Sequence, residues 1–258
     1  MKLSTIIGST LFASAALAAP RTAHRQARKQ KSHPPYKPDT KEALHLNGTT
    51  QAEYSSNWAG AVLIGQGYNK VTGEFTVPTP SGGGSSFEQS CASAWVGIDG
   101  DTCSSAILQT GIDFCVQGGS VSFDAWYEWY PDYAYNFDNF DISSGDKIKV
   151  TVDASSKTTG TATVENLTTG KSVTHTFNGG VDGDLCEYNA EWIVEDFESG
   201  SSLVPFADFG TVVFSSAEAT TGGETVGPDG ATIMDIKQNG QVLTSSSVSG
   251  GEVTVKYV

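Results

Sequence analysis

The 258-residue chain has no arginine after Arg28 and only one histidine, His175, after residue 45. A Ser-His-Asp or Cys-His hydrolase built on residues 53–258 would therefore rest on that single imidazole, and His175 stands in an alternating run without an evident partner, as a surface residue would. HExxH and Gly-rich phosphate loops are missing, which argues against zinc-peptidase and nucleotide chemistry. The four cysteines, Cys91, Cys103, Cys115 and Cys186, lack the CxxC spacing of zinc sites; two structural disulfides, in one of three pairings, account for them, and no nucleophilic thiol is expected. No later stretch approaches 18 consecutive apolar residues, so no membrane span is predicted. Two-aspartate proteases need paired Asp-Thr/Ser-Gly loops, but the nearest match here, Gln109-Thr110-Gly111, carries an amide in place of the acid. No helical period of three turns is found either.

What is present begins with the ends. Residues 1–19 combine Lys2, an apolar run from Ile6 to Leu17 and the small-x-small ending Ala16-Leu17-Ala18, the pattern of a secretion signal, so a secreted, extracellular protein is expected. Residues 1–52 hold eight of the 15 basic residues and only two acids, Asp39 and Glu42. Residues 20–52 are polar and proline-containing, and they read as a basic pro-segment with an approximate boundary. Residues 53–258 hold 27 acids against seven lysines, a formal charge of −20. Opposite charges predict that the pro-segment docks on the body as its own inhibitor, and that acid, by protonating carboxylates, loosens it. The acidic body repels phosphate, so nucleic acid is not an expected partner. A carboxylate-rich, arginine-free surface also avoids accumulating positive charge at low pH, which suits a protein that works in acid.

The body reads as strands. KIKVTVDAS (147–155) alternates Ile148, Val150 and Val152 against polar neighbours; TATVENLTTGKSVTHTF (161–177) is two such runs joined near Thr169-Gly170. TIMDIKQNGQVLTS (232–245) is a hairpin about Asn239-Gly240, and EVTVKYV (252–258) closes the chain as a strand. With Gly-rich turns throughout, residues 53–258 are expected to form one all-β domain, an antiparallel sandwich or closed barrel. Ser81–Ser86 reads as an exposed loop open to nicking, and Asn47-Gly-Thr and Asn166-Leu-Thr are glycosylation acceptor patterns.

Chemistry concentrates in a few strands. In DAWYEWYP (124–131), Asp124, Trp126, Glu128 and Tyr130 share one face and Ala125, Tyr127 and Trp129 the other. The first face is too polar for a core and too aromatic for idle surface, and it reads as a binding face. SAWVGIDG (93–100) sets Trp95 near Asp99, although Asp99-Gly100-Asp101 by itself is simply a turn. SAILQTGIDF (105–114) and AEWIVEDF (190–197) each carry a polar residue, Gln109 or Glu195, among apolar neighbours.

Together with SNWAGAV (56–62), FTVPT (75–79) and TVENLTTGK (163–171), these motifs resemble, in matching order over residues 55–258, those of the fungal glutamic peptidases, or eqolisins. The resemblance implies a concanavalin A-like sandwich of two antiparallel sheets with a polypeptide substrate across its concave face. It implies a catalytic pair, Gln109 and Glu195, with Glu191 on the same strand face as the competing candidate. It also implies cleft or neighbouring roles for Trp95, Asp99, Asp113, Asp124, Trp126 and Glu128. In that chemistry Glu195 takes a proton from water and returns it to the leaving nitrogen, while the Gln109 carbonyl holds the water and its NH₂ donates to the oxyanion. The protein is then a pepstatin-insensitive acid endopeptidase, acting as a monomer without cofactor or metal. Two other classes share the sandwich: a glycoside hydrolase using Glu128 and Glu195, and a non-catalytic carbohydrate-binding module.

Overall fold

A computed structural model describes residues 30–39, 52–82 and 88–258. The signal reading of residues 1–19, the acceptor Asn47 and most of the Ser81–Ser86 loop lie outside the described residues.

Two large sheets face one another. The first runs in the order Gln241–Val242, Thr232–Gln238, Trp58–Ile64, Asn189–Glu195, Ser90–Ile98, Ile107–Gln117, Ser120–Tyr130 and Tyr135–Asn136. Its pairings are antiparallel, except that Glu53–Ser55 adds to Thr232–Gln238 in parallel. The second runs Lys171–Asn178, Thr159–Asn166, Lys147–Ser156, Tyr68–Thr76, Thr211–Thr221, Glu252–Tyr257 and Thr244–Ser249. No helix occurs among the described residues, and the expected antiparallel sandwich is what forms.

Period-two alternation explains the packing. Ile148, Val150 and Val152 of the second sheet and Ala94, Val96, Leu108, Ile112, Ala125, Trp129 and Trp192 of the first belong to one buried cluster between the sheets. Trp192 spans the layers, its indole N–H donating to the Thr72 carbonyl at 2.8 Å. Burying such side chains contributes about 1.5–3 kcal/mol each by area. His175 faces inward: its ring stacks on Tyr127 with centroids 4.0 Å apart, so the expectation of a partnerless surface residue is corrected.

Cys91 pairs with Cys115 across neighbouring strands and Cys103 with Cys186, which settles the pairing among the three. The Asn166 pattern is no open glycan acceptor. Its side chain is buried in the hairpin turn, donating to Asp146 at 2.9 Å and accepting from the Thr168 and Thr169 amides. In the other hairpin, Asn239 and Gly240 both take positive φ, as a type I′ pair requires.

Candidate active site

The outer face of the first sheet carries the candidate residues, and register sets its layout. In one cross-strand row Glu191, Gly97, Gln109 and Glu128 stand side by side; in the next, Ile193, Trp95, Gly111 and Trp126; in the third, Glu195, Ser93, Asp113 and Asp124. Small residues leave room for large neighbours to lean over them. A Cβ on Gly111 would stand 2.4 Å from both the Ala94 carbonyl and the Trp95 Cβ, so only glycine fits between the rows that hold Gln109 and Glu195.

Residues 30–38 lie across this face as a strap. Lys31–Ser32 pairs antiparallel with Glu198–Ser199, which directly follows the Glu195 strand. The fully buried His33 joins the two candidate residues: Gln109 Nε2 donates to the His33 carbonyl at 2.7 Å, and His33 Nδ1 lies 2.8 Å from Glu195 Oε2. The imidazole stacks on Trp126 with centroids 3.7 Å apart and planes 4° from parallel. Lys31 reaches Asp113 at 2.7 Å and Asp124 at 3.0 Å, and Lys37 pairs with Glu198.

Burial is the main electrostatic force at the site. It pushes the Glu195 carboxyl well above its ordinary pKa, with the charge of Glu128 adding to the rise. N–H donors oppose it: Trp95 Nε1 at 2.9 Å on Oε2, Trp58 Nε1 at 3.3 Å and Asn57 Nδ2 at 3.5 Å on Oε1. Burial likewise raises Glu128, which accepts from the His33 amide at 3.0 Å, Ser32 Oγ at 3.1 Å and Gln109 Nε2 at 3.0 Å. His33 moves the other way, held well below the usual imidazole value by burial and by the Lys31 charge. For Lys31 burial works downward, but Asp113 and Asp124 outweigh it and raise the ammonium pKa.

Gln109, Glu195, Glu128, Trp95, Trp126, Asp113 and Asp124 thus gather around one stretch of backbone. Asp99 does not join them, and of the cleft or neighbouring roles expected of it the contacts fit the neighbouring one. Its carboxylate accepts the backbone N–H groups of Cys186, Glu187, Tyr188 and Asn189 at 2.7–3.2 Å and so fixes the start of the Glu195 strand. Glu191 is fully buried, neither oxygen has a hydrogen-bond partner, and it makes no contact with His33 comparable to that of Glu195. Sequence reasoning missed Asn57, Trp58 and His33. The first two stood in the SNWAGAV motif; the third was hidden in a segment read only for its charge. Among the described residues one group has metal-ligand spacing, Asp99 with Cys103 and Cys186, but its sulfurs form the disulfide and its carboxylate is spent on the loop.

Residues 56–257 match the Peptidase A4 family model. Over the full length of both chains the sequence is 65% identical to Aspergillopepsin-2 of Aspergillus niger and 42% identical to Scytalidopepsin B of Scytalidium lignicola. The fold is similar to the crystal structure of scytalido-glutamic peptidase with a transition-state analogue inhibitor, with a TM-score of 0.73 and 47% identity over 79% of this chain and 98% of that one. The chain belongs to the peptidase A4 family and is a glutamic-type endopeptidase.

Proposed function

We propose that this endopeptidase is secreted, works in acid and cuts polypeptides with Gln109 and Glu195, its own pro-segment serving as inhibitor until removed. The observation that carries the proposal is that both side chains grip one residue of a bound peptide backbone, the Gln109 amide on the His33 carbonyl and the Glu195 carboxyl on its side chain. A substrate carbonyl held like that of His33 receives an N–H donor aimed at the oxygen that becomes negative in the tetrahedral intermediate. Glu195 Oε2 takes the proton of the attacking water and later gives it to the leaving nitrogen. Gln109 Oε1 has no partner while the strap is bound and is the acceptor offered to that water. Removing the strap readmits solvent to Glu195 and relieves the largest cause of its raised pKa, while the donors on Trp95, Trp58 and Asn57 remain to favour the ionised form. Both effects lower the Glu195 pKa, and in acid a protonated Glu195 is also a competent acid for the amine. The signal pattern of residues 1–19 and the two disulfides favour secretion.

The test incubates the purified full chain at about pH 3–4 with denatured casein, EDTA and pepstatin, with Glu195→Gln in parallel. The expected result is that the wild type trims its pro-segment and digests casein while the folded variant does neither. A folded, trimmed and inert wild type would overturn the assignment.

A further inference from the structure

We infer that residues 31–36 fill the cleft as an uncleaved substrate mimic in which the His33 imidazole takes the seat of the attacking water and the His33–Pro34 bond lies where a scissile bond lies. The inference rests on the Gln109/Glu195 assignment and adds what the charge of the segment does not supply: how hydrolysis of a peptide held against a competent pair is prevented.

Three contacts define the mimic. The His33 carbonyl takes the Gln109 Nε2 donor at 2.7 Å, as a substrate carbonyl would. The Nδ1 of the same residue stands 2.8 Å from Glu195 Oε2, within the 2.6–3.2 Å range a base needs for its water. Glu195 Oε1 accepts from both Trp58 and Asn57, whereas Oε2 accepts from Trp95 alone, so Oε2 keeps an acceptor position for a water, and the imidazole occupies it. The third contact is the near-parallel stack on Trp126, which fixes the ring so that a water cannot share the space. One residue therefore satisfies the oxyanion donor and displaces the nucleophile.

The flanks hold the register. On the N-terminal side Lys31 is clamped by Asp113 and Asp124, its carbonyl accepts the Ala134 N–H at 3.0 Å, and the His33 amide donates to Glu128. On the C-terminal side the Pro34 carbonyl accepts from Trp58 Nε1 at 3.1 Å and Asn57 Nδ2 at 3.3 Å, and the Tyr36 amide donates to the Gly100 carbonyl at 3.0 Å. Proline after His33 adds a second obstacle, because its ring encloses the nitrogen that would have to leave. Lys31 anchors the strap, whereas His33 blocks the chemistry, and the two functions separate by mutation.

The experiment uses synthetic peptides spanning residues 29–39 against the acid-matured enzyme, with casein hydrolysis as readout. The natural peptide is expected to inhibit competitively. His33→Phe keeps a planar ring for Trp126 but lacks the nitrogen, and it should inhibit at least about tenfold more weakly. A peptide carrying both His33→Ala and Pro34→Ala should be cut between residues 33 and 34, as mass spectrometry reads directly. Equal inhibition by the natural and His33→Phe peptides, or cutting of the double variant only at other bonds, overturns the inference. Casein digestion without peptide tests the catalytic assignment separately. If it fails, tryptophan fluorescence on the acid-treated wild-type enzyme, with Glu195 intact to receive the imidazole, still compares binding of the natural and His33→Phe peptides.

Discussion

The two faces of the first sheet are made from the same strands and are about equally buried, yet they are built on opposite principles. The inner face packs Ala94, Leu108, Ile112, Ala125 and Trp192 against the second sheet, with Trp129 and Trp192 each bonding one carbonyl. The outer face buries Gln109, Asp113, Glu128, Glu191 and Glu195 among Trp58, Trp95 and Trp126. Burying an apolar side chain stabilises; burying a carboxyl costs free energy unless donors meet it. The outer face accepts that cost, and the donors it does supply converge on Glu195 and Glu128, which is how a folded sheet comes to hold reactive groups.

The largest effect that would sharpen this contrast comes from the outer face. Glu195→Gln should lower kcat/KM by about 10²–10⁴ and Gln109→Ala by about 10²–10³, with the melting temperature unmoved or raised. Gln109→Glu is more pointed, because it turns the pair into two carboxyls; wild-type turnover there would refute the role given to the amide. Trp192→Ala on the inner face should do the reverse, costing about 3–5 kcal/mol in urea unfolding while leaving kcat per folded molecule near wild type.

A smaller effect follows from Trp95→Phe, which removes the 2.9 Å donor on Glu195 and keeps most of the ring. Without that N–H the Glu195 pKa rises, and the acid limb of the kcat/KM profile should move up by about one pH unit. An unshifted limb would leave Trp95 as packing alone.

The smallest is a slope. Burial pushes Glu191 well above the ordinary range, Asp196 up to about 7 and Asp235 up to about 6. Acids whose folded pKa is raised hold their protons more tightly folded than unfolded, so their contribution is full below the unfolded values near 4 and is lost as pH rises through 6–7. The enzyme freed of its strap, and so of the opposing His33 shift, should lose roughly 5 °C of melting temperature between pH 4 and pH 7, and Glu191→Leu should flatten part of that loss. A melting temperature that climbs across this interval would contradict the cost assigned to the outer face.

Much of this was legible in the chain because period two is a local property. DAWYEWYP separated its two faces without any structure, and the inner and outer members fell as the alternation required. Asp99 shows where a local rule stops. It has the parity of Trp95, but φ of 70° takes its backbone out of the strand, and its carboxylate turns to the 186–189 amides, partners nearly 90 residues away. Glu191 and Glu195 share a strand, a face and near-complete burial, and no local rule tells them apart. The motif resemblance favours Glu195, and it is Glu195 that the strap and the Trp95 indole reach.

By itself, then, the sequence determined the all-β class, the strand faces, the acidic body with its basic leader and the motifs of a glutamic peptidase, since each is written in composition, alternation or local pattern. The tertiary structure alone decided the disulfide pairing, the loop duty of Asp99, the donors around Glu195 and the seat of His33 against the pair. Those depend on residues distant in sequence whose approach is set by strand order and register, and neither quantity is encoded in any one segment.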